Sequence, residues 1–434
     1  MSNRITFLAS FVVAVVFTLS AVAQEYTLVG TTDKPDGIYA CGETITFSIQ
    51  LLADGKPQAG TKLKYTLKAD GDSTTNGELT SALEPVSLQT KLDFPGWTYV
   101  LFTPVDAEGK TLPVKARSSR GVGAMVEPEK ITYAGQKPAD YDAFWAARRA
   151  ELDKVPVKAT LTRIENAADG FELYDVQVEC AGPKPVSGYL SVPIGAAPKS
   201  CPAVVSYHGA GVRSSSKPYR KGVISLDVNA HGLPNAQPAE FYTQLANNEL
   251  KGYPHFNKDN RDEFYFNGMM LRVMRALDYI KTRPEWDGKT LVAYGSSQGG
   301  GQAIAAAALD KQVTLCVASV PALSDHAGTR ATPRRQAGWP RLYAVAADGS
   351  MDEATAAIAR TAEYFDNVNF ATRITCETYL STGFVDLTCV PTSVYAVYNS
   401  LPATTRKVIS VFPNGTHTSQ NPKGMERMKE VLPK

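Results

Sequence analysis

Gly295-Ser296-Ser297-Gln298-Gly299 decides the reading of this chain. It lies between Lys289-Thr290-Leu291-Val292-Ala293-Tyr294, which reads as a strand, and an alanine-rich stretch from Gly301 to Leu309, which reads as a helix. G-x-S-x-G gains its meaning from that context of strand, sharp turn and helix. The glycines let the backbone bend tightly and approach its neighbours. The bend lifts the Ser297 side chain above the sheet edge, and the following helix aims its N-terminal N–H groups at the same place, where negative charge develops in acyl transfer. The competing reading is a glycine-rich turn in which Ser297 merely caps the helix. Ser296, the rival serine, lacks the glycines at minus two and plus two.

A serine hydroxyl needs a base. In strand–elbow–helix proteins the partners follow in the order serine, acid, histidine. The chain has five histidines, His208, His231, His255, His326 and His417, and only the last two follow Ser297. His326 comes straight after the next strand and leaves no room for an acid on a later one. His417, in Pro413-Asn414-Gly415-Thr416-His417, follows the last expected strand, Lys407 to Phe412. It is the expected base. The acid is expected at Asp386, where the strand Arg373 to Thr382 runs out through Gly383-Phe384-Val385 and a helix begins near Pro391. Asp366 and Glu377 are less well placed alternatives, and a helix N-cap is the structural reading of Asp386. The oxyanion hole is expected from two backbone N–H groups, those of Gln298 and of Ala210 in Tyr207-His208-Gly209-Ala210-Gly211. The His208 side chain reads better as a structural histidine that fixes this loop.

Around the elbow the pattern alternates. Gly188 to Val192, Ala203 to Tyr207, Gly222 to Asp227 and Thr314 to Val320 read as strands, most of them apolar without alternation. Pro138 to Val155 and Asn267 to Arg283 read as helices, the second stopped by Pro284. Apolar strands alternating with helices imply a mostly parallel sheet covered on both faces. With the elbow, the expected fold class is α/β, an α/β-hydrolase fold.

Residues 24–126 differ. Thr44 to Ile49, Lys62 to Leu67 and Trp97 to Phe102 are short strand-like runs, separated by Asp54-Gly55, Asp70-Gly71 and Asn76-Gly77 turns. They argue a small all-β, immunoglobulin-like sandwich preceding a catalytic unit of residues 127–434. Its bland role is packing or oligomerisation, and a sharper one is carbohydrate binding. Residues 1–23 read as a signal peptide: Arg4, an apolar run from Ile5 to Leu19, then Ala21-Val22-Ala23 before polar Gln24. The expected product is exported, periplasmic or extracellular, with no membrane contact after cleavage.

The 434 residues suit two or three domains, and 44% apolar with 20% charged residues is a globular balance. A net charge of +2 gives no sign of a nucleic-acid partner. The six cysteines show neither a CxxC pair nor zinc spacing. No metal or organic cofactor is expected. Cys376 and Cys389 flank Asp386 and are able to pair; isolated buried thiols are the equal alternative.

At these residues the chain resembles the acetyl xylan esterase and cephalosporin C deacetylase family, over most of its length after about Pro128. The resemblance is carried by Tyr141-Asp142-Ala143-Phe144-Trp145, Arg275-Ala276-Leu277-Asp278-Tyr279, Pro284-Glu285-Trp286-Asp287 and Gly295-Ser296-Ser297-Gln298-Gly299-Gly300. Asp386 with Pro391, and His417, match the acid and base positions. Two departures stand out. Ala210 occupies the place of a tyrosine in the oxyanion loop, and Asn229-Ala230-His231-Gly232 that of an Arg-Gly-Gln-Gly segment. The resemblance implies an acyl pocket walled by Pro321 in Val320-Pro321-Ala322-Leu323; His208 and His231 are further expected pocket residues. It also implies a serine carboxylesterase acting on O-acetyl groups of plant polysaccharides or oligosaccharides, and a homo-oligomer unless the extra domain blocks that contact. An exported prolyl-oligopeptidase-like peptidase shares the serine, acid, histidine order, and a non-catalytic glycan-binding protein is the alternative from another class.

Overall fold

A computed structural model describes residues 24–115 and 119–433. The expected export segment, residues 1–23, lies outside the described residues.

The N-terminal part holds strands β1 (Tyr26–Thr32), β2 (Ile38–Tyr39), β3 (Ile45–Ala53), β4 (Lys56–Pro57), β5 (Lys62–Ala69), β6 (Ser73–Thr80), β7 (Val86–Thr90), β8 (Gly96–Val105) and β9 (Gly121–Val126). They form two sheets, one of β1, β3, β4 and β7, the other in the order β2-β9-β8-β5-β6. β3 shows why a sandwich results. Ile45, Phe47, Ile49 and Leu51 are buried at alternate positions, so one face of the strand joins a core with Leu28, Leu63, Val100, Phe102 and Val122.

β8 and β9 bury both faces. Val100, Phe102, Val122 and Ala124 point into the sandwich. Trp97, Tyr99 and Met125, of opposite parity, enter the core of the larger C-terminal part. The two parts therefore share an apolar interface, with the Trp97 and Tyr99 rings stacked at 4.4 Å.

The C-terminal part runs α1 (Tyr141–Asp153), β10 (Ala159–Arg163), β11 (Phe171–Val178), β12 (Val186–Pro193), β13 (Cys201–Tyr207), β14 (Ile224–Val228), α2 (Ala239–Asn247), α3 (Tyr265–Thr282), β15 (Trp286–Ser296), α4 (Gln298–Leu309), β16 (Leu315–Ser319), α5 (Glu353–Phe365), α6 (Asn367–Ala371), β17 (Glu377–Gly383), α7 (Pro391–Ser400), β18 (Lys407–Phe412) and α8 (Pro422–Val431). A nine-stranded sheet takes the order β10-β11-β12-β14-β13-β15-β16-β17-β18. β10 to β12 join antiparallel. β14, β13, β15, β16, β17 and β18 are parallel. The sheet is covered on both sides, as the apolar strands imply. Ala203 and Val205 face the core that contains α3, α4 and α7, whereas Val204, Val292, Val317 and Tyr379 face Met428 of α8. This is an α/β-hydrolase fold preceded by a small β-rich part.

The strand ends differ modestly from expectation. β17 begins at Glu377, since Arg373 to Cys376 turn out of α6. All six cysteines are unpaired, Cys376 and Cys389 among them, both buried.

The β-rich part grips the end of β17. Trp97 Nε1 donates to Phe384 O at 2.9 Å, and Gly123 N donates to Pro413 O at 2.7 Å. A Cβ on Gly123 would stand 2.2 Å from Phe384 O. Only glycine permits this approach of backbones. Gly123→Ala should force the strands apart and lower stability by about 1–3 kcal/mol, as overpacking does. Trp97→Phe should cost a similar ~1–3 kcal/mol by leaving a buried carbonyl without its donor. Denaturant midpoints at unchanged slope test both; a midpoint unmoved in both variants would show that the grip contributes nothing.

Candidate active site

β15 ends at Ser296 and α4 starts at Gln298, so one residue makes the turn. Ser297 has φ 58° and ψ −125°, a conformation that costs a non-glycine residue energy and persists only where neighbours impose it. They do so on both sides. Ser297 N donates to Ser319 O at 2.9 Å, and Ser297 O accepts from Gly301 N and Ala322 N, each at 3.0 Å. The flanking glycines are steric necessities. A Cβ on Gly299 would lie 2.0 Å from Tyr207 O, and one on Gly295 would lie 2.2 Å from Gly299 O.

His417 lies between β18 and α8, and Asp386 between β17 and α7. Their loops are joined: Phe384 N donates to Phe412 O at 2.9 Å, and Val385 N to Gly415 O at 2.8 Å. His417 Nε2 is 2.9 Å from Ser297 Oγ, and His417 Nδ1 is 2.9 Å from Asp386 Oδ2. Asp386 is fully buried. Its Oδ1 accepts from Thr388 N at 2.8 Å and Cys389 N at 2.9 Å. With Oδ1 fixed by two amides, Oδ2 is left to take the imidazole N–H. That selects the tautomer whose Nε2 accepts a proton from the serine hydroxyl. Asp386 organises its own turn while Val390 is the N-cap of α7.

The alternatives sit elsewhere. Asp366 caps α6 and takes the amides of Asp325, His326 and Val368. Glu377 is bound by Arg427 at 2.8 Å. His326 is buried, and burial depresses its pKa to about 4.

Ser297 opens into a cavity of about 350 Å³ lined by Gly209, Ala210, Arg213, Ser296, Trp339, Thr388 and His417. Ala210 thus borders the serine, and Gly209 runs beside it: a Cβ there would lie 3.5 Å from Ser297 Cβ. The Gln298 side chain is buried, its Oε1 accepting from the Tyr253 hydroxyl. Trp339 and Arg213 come from loops that no periodicity marks, and nothing in the sequence singles them out.

His208, His231 and Pro321 do not line this cavity, contrary to the pocket roles expected for them. Each is turned inward. His208 accepts from Ala230 N at Nε2 (3.1 Å) and faces Gly209 O with Nδ1 (2.7 Å), tying two loops together. His231 Nδ1 lies 2.6 Å from the Tyr265 hydroxyl. Pro321 is buried against Gly300 of α4. Cys389, Asp386 and His417 bring one possible ligand atom each within 4.8 Å of one another. His417 and Asp386 already bind each other, and His417 binds Ser297, so a metal ion there would break that line.

Burial pushes the pKa of His208 from 6.5 to about 4 and that of His231 to about 3. Both imidazoles are neutral in the fold, and the unfolded chain takes up their protons first. The His208 contribution should therefore be full above pH 6.5 and be lost as pH drops from 6.5 to about 4. Unfolding free energies measured between pH 7 and 4 should decline less steeply in His208→Gln. An identical slope would remove His208 from the acid response.

Residues 127–432 match the family model described as acetyl xylan esterase. The acetyl esterase Axe7A of Xylanibacter ruminicola is 29% identical over 398 residues, covering 89% of this chain and 86% of that protein. An acetyl xylan esterase from Paenibacillus sp. R4 superposes with a TM-score of 0.58 at 25% identity, covering 71% of this chain and 99% of that one. Acetyl xylan esterase 1 from Thermoanaerobacterium sp. JW/SL YS485 shares the fold, with a TM-score of 0.56 at 23% identity, over 70% of this chain and 96% of that one. The match over the whole α/β part shows that the chain belongs to the acetyl xylan esterase family and is a carboxylic ester hydrolase.

Proposed function

We propose that the protein is an exported serine esterase that removes O-acetyl groups from plant polysaccharides or their oligosaccharides. The observation that carries this reading is the unbroken line from Ser297 Oγ through His417 to Asp386, with both hydrogen bonds at 2.9 Å. Ser297 attacks the ester carbonyl while His417 Nε2 takes the hydroxyl proton. The backbone amides of Gln298 and Ala210 receive the oxyanion. The C–O bond to the sugar breaks, and the sugar hydroxyl leaves with the proton from His417. Water, deprotonated by His417, then attacks the acyl carbon and releases acetate and Ser297. No step calls for a metal or cofactor.

Export rests on the leader-like residues 1–23. We take residues 24–126 as the sandwich unit and 127–434 as the catalytic unit, and an acetylated glycan as the substrate. The glycan follows from family membership and from the names of the relatives.

Acetate release from acetylated xylo-oligosaccharides and from acetylated pectin tests the assignment. Ser297→Ala or His417→Ala should lower kcat by roughly 10⁶-fold, and Asp386→Asn by roughly 10⁴-fold. Release from xylan substrate by the parent alone is the expected result. Serine-dependent cleavage of an aryl acetate, with neither glycan hydrolysed, would discard the xylan assignment and keep the mechanism. Full activity in Ser297→Ala would overturn the mechanism. Ser297→Gly should be inactive yet more stable than the parent. It relieves ~1–3 kcal/mol of backbone strain against the ~0.5–1 kcal/mol of extra chain entropy that glycine loses. Thermal unfolding of Ser297→Gly beside Ser297→Ala checks this, and a midpoint lower in Ser297→Gly than in Ser297→Ala would mean that the turn stores no strain.

A further inference from the structure

Of the side chains that line the Ser297 cavity, Arg213 alone carries a permanent charge, and none is a carboxylate. Asp386 is fully buried beyond the His417 ring. Arg213 is exposed, and among the described residues no acceptor engages its guanidinium. Asp227, an acid that feels its charge, is buried and already takes Ser206 Oγ at 2.7 Å and Ser216 N at 2.8 Å. A second exposed arginine, Arg341, donates to the carbonyl of Leu387, one residue from Thr388, and forms no ion pair among the described residues. The guanidinium of Arg213 is free, but the backbone that carries it is not. Arg213 O accepts from Asn229 Nδ2 at 2.7 Å, and Ser215 N donates to Asn235 Oδ1 at 3.0 Å. Asn229 and Asn235 are themselves buried. The segment is thus strapped to β14 and the loop after it, and the charged head stands on a fixed root beside the serine.

Trp339 lines the same cavity, packed on Val320, Ala322 and Cys389, and its indole N–H has no partner among the described residues. A planar fork without a counter-ion matches a carboxylate. An indole with an open N–H suits a pyranose, which has apolar faces and a rim of hydroxyls. The cavity, of about 350 Å³, has room for one such ring. We infer that Arg213 is a specificity-determining residue that selects O-acetylated glycans carrying a uronic acid, its guanidinium holding the carboxylate while Trp339 supports the ring. This rests on the esterase reading of the site and names the charge of its substrate. A contact to a part of the substrate that does not react is made equally before and during the chemical step, so it appears in affinity and not in turnover.

Two probes test it: the methyl glycosides of glucuronic acid and of glucose, acetylated at the same ring hydroxyl, which differ only by a carboxylate against a hydroxymethyl group. Calorimetric titration of the full chain carrying Ser297→Ala reads their affinity without turnover. The glucuronic acid glycoside should bind about fivefold or more tightly than the glucose glycoside, as for a charged contact at a wall open to solvent. Added salt should shrink that margin. Arg213→Gln in the same background should abolish the preference and Arg213→Glu should reverse it; both replace an exposed side chain, so the fold is kept. Equal affinity for the two glycosides, binding of neither, or an undiminished preference in Arg213→Gln would overturn the assignment. Acetate release from both glycosides is measured beside it with the parent. Release from neither, with the affinity difference intact, would sink the esterase reading and leave Arg213 as the carboxylate contact of the cavity.

Discussion

The whole arrangement depends on one backbone conformation. Ser297 is held at positive φ between the end of β15 and the start of α4, and it stays there because three amide hydrogen bonds and two glycines leave it nowhere else to go. Those bonds come from β16, the segment after it and α4, and the glycine clearances involve β13 and α4. The central strands thus fix the serine from several sides, and the rigidity of the parallel sheet is transmitted to a single hydroxyl. A site on such a support keeps its geometry better than one carried by loops alone.

His417 and Asp386 do come from loops, and a different device steadies them. Their two segments bond to each other through Val385 N and Gly415 O, and the β-rich part holds both from outside. Trp97 reaches Phe384, two residues before Asp386, and Gly123 reaches Pro413, four before His417. The N-terminal strands therefore act as a buttress for the segments flanking Asp386 and His417. The shared core of Trp97, Tyr99, Met125 and Phe384 makes the contact more than a surface touch.

How much of this was legible depended on how local each signal was. The elbow could be read because strand, turn and helix lie within about twenty-five residues of one another. His417 and Asp386 could be reached from chain order, since few histidines follow the elbow. The inward turn of His208 and His231 could not, because a sequence does not say which way an imbalance of polar neighbours will point a ring. Trp339 and Arg213 were invisible for a similar reason: they belong to irregular loops whose course is set by packing. The two-sided burial of β8 and β9 was hidden as well. Trp97 finds Phe384 287 positions away, and no pattern within a strand reveals a partner at that distance.

That long separation bears on how the molecule is made. The chain emerges N-terminus first, and its early sheets have a core of their own. Asp386 appears only after β17, and His417 only after β18. They settle onto a surface, Trp97 and Gly123, assembled long before them. Synthesis thus lays down the mould before the cast, and a chain interrupted before His417 lacks one of the two loops that meet at Ser297.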